Sequence, residues 1–313
     1  MRMATRYVLM LLLVGSSPLA AEGPAVPQIV GPWWEIAGNP DLGRLTSEQQ
    51  QPVDFGIWQA ADGTWQLWSC IRHTKEPGET RLLYRWQGKK LSDSDWKPIG
   101  IAMQADKRWG ETPGVLQAPY VVRQDDTWLM YYGDWESICL ATSDDGKTFR
   151  RAKVGGSGPQ LFTEGKGNKT RDPMLLKIDD KWHCYYCAMT GEGGIFVRRS
   201  ASLTDWSRSQ ARKVCYGGAP GRKWWNAECP HVVEHQRRYY LFRTSNYQGK
   251  PQTTVYCSSD QLNFGLDDDS KIVATLPIAA PEIIFHDGEY FVAALNPQLD
   301  GIRMAKLKFS SRR

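Results

Sequence analysis

The sequence predicts an all-β chain, a five-bladed β-propeller with four-stranded blades around a central pocket. The first observation is a block that recurs five times. Its copies begin Val53-Asp54-Phe55, Gln117-Ala118-Pro119, Arg171-Asp172-Pro173, Glu228-Cys229-Pro230 and Ala280-Pro281-Glu282. The second is their spacing. From Phe55 the equivalent positions run to Pro119, Pro173, Pro230 and Pro281, in steps of 64, 54, 57 and 51 residues. A period of about 50 residues with several strands per unit marks a propeller. The third is the abundance of short aromatic-rich runs and the lack of any long amphipathic helical pattern. A β-sandwich is the rival fold, but it leaves the regular spacing unexplained.

Residues 1–21 read as a secretory signal. Arg2 and Arg6 form a basic start, Tyr7 to Val14 an apolar run, and Ser16 to Ala21 a small-residue stretch. The apolar run is too short to span a bilayer. The expected product is secreted or periplasmic, without membrane association after cleavage. Residues 22–50 read as an N-terminal lead-in whose Trp33-Trp34 pair packs onto the body, and residues 51–313 as the propeller domain. In each repeat a polar turn and an aromatic follow about nine or ten residues after the Phe or Pro: Trp65, Trp128, Trp182, Tyr239 and Tyr290. Each opens a second strand, as in Thr127-Trp128-Leu129-Met130-Tyr131-Tyr132. The first strands are expected to line the axis. Later in the units, Ser143-Asp144-Asp145-Gly146-Lys147-Thr148-Phe149, Ser202-Leu203-Thr204-Asp205-Trp206 and Ser259-Asp260-Gln261-Leu262-Asn263-Phe264 repeat a turn followed by an aromatic that can plug the gap between blades.

A net charge of +5 with scattered Lys and Arg gives no nucleic-acid footprint. The 14 Trp and 13 Tyr suit strands, with some left for stacking on sugar rings. Seven cysteines at irregular spacings make no disulfide framework. Cys184 and Cys187 sit three apart in one predicted strand, so they face opposite sides rather than forming a redox or zinc pair. His183 and His235 make no metal-spaced pair. No cofactor and no catalytic metal are expected, and the chain is expected to be a monomer.

First strands of a propeller converge, so Asp54, Asp172 and Glu228 are expected to meet at one pocket. An Asp before Pro or Phe is often only a turn cap. The coincidence of three acids with the repeat favours chemistry. Carboxylates that share a pocket push their pKa values apart, so that one stays protonated while another stays ionised. Glycoside hydrolysis needs such a pair, one on each side of the scissile bond.

Arg171-Asp172-Pro173 and Glu228-Cys229-Pro230 resemble the Arg-Asp-Pro and Glu-Cys-Pro motifs of glycoside hydrolase family 32, within the five-bladed propeller glycosidases of families 32, 68 and 43. The order and approximate spacing of the three acids match as well, and the resemblance covers the chain from about residue 50 to its end. It implies an oligo- or polysaccharide substrate with furanosidic, fructofuranosyl-like linkages. It implies Asp54 as nucleophile (or as general base in an inverting enzyme), Asp172 as transition-state stabiliser, Glu228 as acid, and Arg171 as a substrate-binding or charge-tuning neighbour. Val53-Asp54-Phe55-Gly56 keeps only the Asp of the family's Asn-Asp-Pro-Asn-Gly signature, and the family's usual C-terminal β-sandwich is not expected after blade five. Gln117-Ala118-Pro119 fits equally a family 43 arabinofuranosidase or xylosidase, which inverts.

Further substrate-binding candidates are Gln117, Trp225, Asn226 and Glu282. Gln117 stands where other blades carry acids. Trp225 and Asn226, with Trp224, precede the Glu-Cys-Pro motif, and Glu282 opens the first strand of blade five. Trp109, Glu111 and Trp135, in long turns, are further candidates. Two other readings remain. One is a sugar-binding propeller without catalysis, supported by the altered blade-one motif. The other is a sialidase-like propeller, suggested by the Ser143–Phe149 turn, but that chemistry needs a Tyr nucleophile and three Arg that the first strands do not supply.

Overall fold

A computed structural model describes residues 23–156, 158–216, 227–266 and 268–311. The signal-like residues 1–21 lie outside them. The chain opens with β1 (Val26–Gly38). Blade one is β2 (Gln51–Gln59), β3 (Trp65–Arg72), β4 (Leu82–Gly88) and β5 (Lys97–Met103). Blade two is β6 (Gln117–Gln124), β7 (Thr127–Gly133), β8 (Ser137–Ser143), β9 (Arg150–Arg151) and β10 (Gln160–Thr163). Blade three is β11 (Arg171–Ile178), β12 (Lys181–Ala188), β13 (Gly194–Ser200) and β14 (Arg212–Tyr216). Blade four is β15 (Glu228–His235), β16 (Arg238–Asn246), β17 (Gln252–Ser258) and β18 (Ile272–Leu276). Blade five is β19 (Glu282–His286), β20 (Glu289–Leu295) and β21 (Gly301–Ser310), with β1 as its outer strand.

The first strands touch in a closed circuit: β2 with β6, β6 with β11, β11 with β15, β15 with β19, and β19 with β2. The protein is therefore a five-bladed propeller. Blade two departs from four strands, because the outer position beside β8 is shared. β9 pairs with Ala141 and Thr142, while β10 pairs with Ser137, Ile138 and Cys139.

The stretch 22–50 is more than a lead-in. β1 runs antiparallel to β21, from Val26 opposite Ser310 to Gly38 opposite Gly301, and closes the ring. It also grips blade one, through Asp95 N–H to Glu35 O (3.0 Å), Trp96 N–H to Ile36 O (2.9 Å) and Trp34 Nε1–H to Leu91 O (3.1 Å). Closure removes the sheet edge that β21 would otherwise present.

The second strands start at or next to the expected aromatics and are almost wholly buried. The apolar core lies between blades, where aromatic plugs fill the gaps. Phe149 packs against Trp58 and Trp68, Trp206 against Tyr131 and Phe162, and Phe264 against Tyr185. The Ser143–Phe149 turn is structural: Gly146 O accepts from Trp58 Nε1–H at 2.7 Å. All seven cysteines are free. Cys184 packs between blades two and three and Cys187 between three and four, as opposite faces of one strand require.

Candidate active site

Each blade enters the axis through the same backbone device. Asp54, Ala118, Asp172, Cys229 and Ala280 have φ of 42°, 49°, 57°, 45° and 48°, all in the left-handed region. Each is followed by Phe55 or by Pro119, Pro173, Pro230 or Pro281. In blades one to four the ladder to the second strand slips at this point. An extra residue in one strand bends it and re-aims its side chains. A non-glycine residue held left-handed costs about 1–2 kcal/mol, and such strain clusters at functional sites.

This register corrects the sequence reading at two points. The fifth copy is Ala279-Ala280-Pro281, not Ala280-Pro281-Glu282, since Ala279 O accepts from Leu295 N–H of the second strand. The three acids are also not equivalent. Cys229 holds the place of Asp54 and Asp172, while Glu228 stands one residue earlier, level with Val53, Gln117 and Arg171. Neighbouring positions along a strand point to different sides, so Glu228 approaches the site from another direction than the two aspartates.

The three acids nevertheless meet. Cys229 Sγ lies 3.3 Å from Asp54 Oδ1 and 3.9 Å from Asp172 Oδ2. Arg171 lies beside both other acids, with Nη2 donating to Glu228 Oε1 at 2.7 Å and Nε 3.8 Å from Asp172 Oδ2. Asp54 Oδ1 also accepts from Tyr247 Oη at 3.0 Å. Asp172 Oδ2 accepts from the Cys229 N–H at 3.1 Å and the Cys187 thiol at 3.4 Å. Each acid thus has one oxygen fixed by donors. Among the described residues, no protein donor reaches Asp54 Oδ2, Asp172 Oδ1 or Glu228 Oε2.

Burial pushes the Glu228 carboxyl up to about 7. The Arg171 guanidinium opposes the shift, and the neighbouring Asp172 and Asp54 reinforce it. Asp172 is also raised, first by burial and then by Asp54, against the pull of Arg171. Arg171 itself is held firmly protonated. Burial works against its charge, but Glu228 and Asp172 outweigh it. Tyr247 is pushed well above the usual phenol range by burial and by Asp54, so it is a neutral donor.

Asp54, Asp172 and Cys229 line a cavity of about 20 Å³ together with Ala118, Ala280 and Glu282, roughly the room one water needs. Glu282 sits two residues beyond Ala280, where its Oε2 lies 3.5 Å from His231 Nδ1. Gln117 and Arg171 flank Gly133, where a Cβ would lie 3.3 Å from Gln117 Cγ and 3.6 Å from Arg171 Cβ. Gln117 is buried. Its Oε1 accepts from Arg81 Nη1 at 2.8 Å, and its Nε2 has no partner. Trp225 and Asn226 lie outside the described residues. Glu111 is a structural pin, bound by Tyr132 Oη and Arg151.

Tyr247, Arg81 and the thiol of Cys229 were not singled out by the sequence reading, and Cys187 was weighed only as half of a redox or zinc pair. Cys229 stood inside a quoted motif. Tyr247, in the turn after β16, carries no repeat signal.

The family model described as "Glycosyl hydrolases family 32 N-terminal domain" matches residues 84–271. A "Probable sucrose-6-phosphate hydrolase" of Vibrio cholerae is 26% identical over 224 residues, covering 55% of this chain and 39% of that protein. The chain thus spans about two fifths of the length of that curated relative. Among solved structures, a thermostable family-43 glycoside hydrolase superposes with a TM-score of 0.63 at 16% identity, covering 84% of this chain and 91% of the other. An α-L-arabinofuranosidase from Clostridium thermocellum ATCC 27405 superposes with a TM-score of 0.56 at 15% identity, covering 82% and 85%. At these identities the structural likeness concerns the fold.

Proposed function

Because the chain belongs to glycosyl hydrolase family 32, we propose that it hydrolyses glycosidic bonds of the fructofuranosyl type, with Asp54, Asp172 and Glu228 as its working carboxylates. The observation that carries this reading is the division of each carboxylate into one anchored and one available oxygen. Tyr247 and Cys229 orient Asp54 and leave Oδ2 to attack the anomeric carbon. Glu228, raised to about 7, keeps its proton at mildly acidic pH and donates it to the leaving oxygen. After the leaving group departs, the same carboxylate takes a proton from water, which breaks the glycosyl–Asp54 ester and restores the enzyme. Asp172, fixed by the Cys229 N–H and Arg171, places its charge beside the developing oxocarbenium ion. We also propose that the protein acts outside the cytoplasm, on the strength of the signal-like residues 1–21. Mass spectrometry of the N-terminus of exported protein tests that placement.

The test of activity is a hydrolysis screen on sucrose, inulin and levan, with products separated by chromatography. Wild type is expected to release fructose, and Glu228→Gln to lose about 10²–10⁴ of the rate. Folded wild-type protein that releases no fructose from any of the three would overturn the reading.

A further inference from the structure

The face of the propeller opposite the acids carries a charged cleft. In blade three, β11 starts at Arg171 in the acidic pocket and ends at Ile178, which pairs with Lys181 at the start of β12. The eight residues of β11, at about 3.3 Å each, put the two ends roughly 25 Å apart. At the Lys181 end lies a cleft of about 500 Å³, lined by Lys181, Arg199, Asp205, Arg208, Gln210 and the serines that follow β13. That is the size of an ordinary small-ligand site. Its charges are unbalanced. Lys181, Arg199 and Arg208 are exposed, and among the described residues their side chains make no ion pair and no hydrogen bond. Among the described residues, Asp205 is the one carboxylate in the lining. It is engaged by its own turn, accepting from the Ser207 hydroxyl at 2.6 Å and the Ser207 N–H at 3.0 Å. These bonds, and after them the Arg208 charge, hold its pKa down.

The strand register sets Lys181, His183 and Arg199 on one face of the sheet, since His183 stands opposite Arg199 and two residues from Lys181. His183 feels both cations. Burial lowers its pKa first, Arg199 and Lys181 add to this, and the Lys181 carbonyl and Asp179 oppose it. Like charges held together repel, and an anion set among them is attracted by all three. The lining selects the kind of anion. The cleft is concave, and the exposed large apolar side chains Ile99, Ile101 and Phe285 lie elsewhere, so it offers nothing to insert into a lipid surface. Among the described residues no aromatic ring lines it, so nucleobases have no stacking platform. The Gln210 amide and the serine hydroxyls supply neutral donors and acceptors between the charges, as sugar hydroxyls require.

We propose that this cleft is a second, non-catalytic site that takes an acidic polysaccharide, whose carboxylate or sulfate groups Lys181, Arg199 and Arg208 hold on the face away from the acidic pocket. The site does not depend on the hydrolase reading, and its test needs no turnover. Galacturonate hexasaccharide, sulfated maltohexaose and neutral maltohexaose are titrated by calorimetry into wild type, Arg199→Gln, Arg199→Lys and the triple variant Lys181→Gln/Arg199→Gln/Arg208→Gln. Melting curves confirm that each protein is folded. One acidic hexasaccharide is expected to bind at least about tenfold tighter than the neutral one, the effect of three exposed ion pairs. Added salt should weaken that preference. Arg199→Gln should reduce it about twofold to threefold, Arg199→Lys restore most of it, and the triple variant bind all three sugars alike. Preference for galacturonate identifies a carboxylate as the group held, and preference for the sulfated sugar a sulfate. Equal binding of the three sugars by wild type, or a preference that persists in the triple variant, overturns the inference. So does tighter binding of phosphatidylserine vesicles, or of a deoxythymidine hexanucleotide, than of either acidic sugar at equal anionic charge. The two proposals fail separately. Selective binding without turnover on any substrate removes only the hydrolase, and turnover without selective binding removes only this site.

Discussion

Glu228 and Arg171 set the expected pH response. An acid catalyst works only while protonated, so activity should be present below about 7 and fall as pH rises through it. Arg171 favours the ionised form of Glu228. In Arg171→Gln the Glu228 pKa must therefore rise, and the alkaline limb of kcat/KM should move up by about one unit or more. A pH–rate profile of both proteins checks this, and a downward or absent shift refutes it. Tyr247→Phe removes a donor to Asp54 without removing bulk. We expect kcat to fall about tenfold, near 1.4 kcal/mol of transition-state stabilisation, with little change in KM. Steady-state kinetics on the same substrate decide it. Asp54, Asp172 and Glu228 were legible because each interrupts a repeat that otherwise specifies only backbone. Tyr247 was not, because it reaches Asp54 by a blade-to-blade approach across 193 residues. Nothing in its local sequence signals that contact.

The recurrent element is the left-handed residue ahead of the Phe or Pro in each blade, which makes a bulge in blades one to four. Ala118 and Ala280 adopt the same left-handed state without any polar duty visible in their side chains, so the geometry belongs to the fold rather than to the acids at Asp54 and Asp172. Ala118→Gly should relieve left-handed strain and raise stability by about 0.5–1 kcal/mol, whereas Ala118→Val should lower it by about 2 kcal/mol or more through its branched Cβ. Denaturant unfolding of the two variants measures the difference, and a destabilised glycine variant would contradict the strain argument. The repeat and its aromatic second strands were legible as patterns of Pro, turn residues and Trp or Tyr. The one-residue offset of Glu228 was not, because side-chain direction depends on where the bulge falls. A sequence does not print the position of a bulge when the residue in it is Ala, Asp or Cys rather than Gly.

The whole molecule is held by its seam. The sequence pointed to five units, and to Trp33-Trp34 as something that packs, but not to a strand over 26–38. That stretch holds a Pro-Gln and a Gly-Pro in place of the alternation a strand usually shows. It pairs with β21 all the same: Pro27 and Gln28 stand in register opposite Phe309 and Lys308, and Gly31-Pro32 falls at the shift between Val30 and Trp34. Trp34 joins the two sides of the seam, edge-on to Phe291 of blade five and hydrogen-bonded to Leu91 O of blade one. Trp34→Ala should cost about 2–3 kcal/mol and lower the melting temperature by several degrees. Calorimetry tests this, and an unchanged melting temperature would show that the seam bears no strain of this kind. The seam also imposes a schedule on the newborn chain. β1 (Val26–Gly38) is synthesised long before its partner β21 (Gly301–Ser310). At ordinary elongation speeds of about 5–20 residues per second, β1 waits roughly 15–55 s for Gly301–Ser310 to appear. Throughout that interval its aromatic face is open to any other strand. The early moments of this protein's life, before the circle can shut, are when an escort that covers residues 26–38 would matter most.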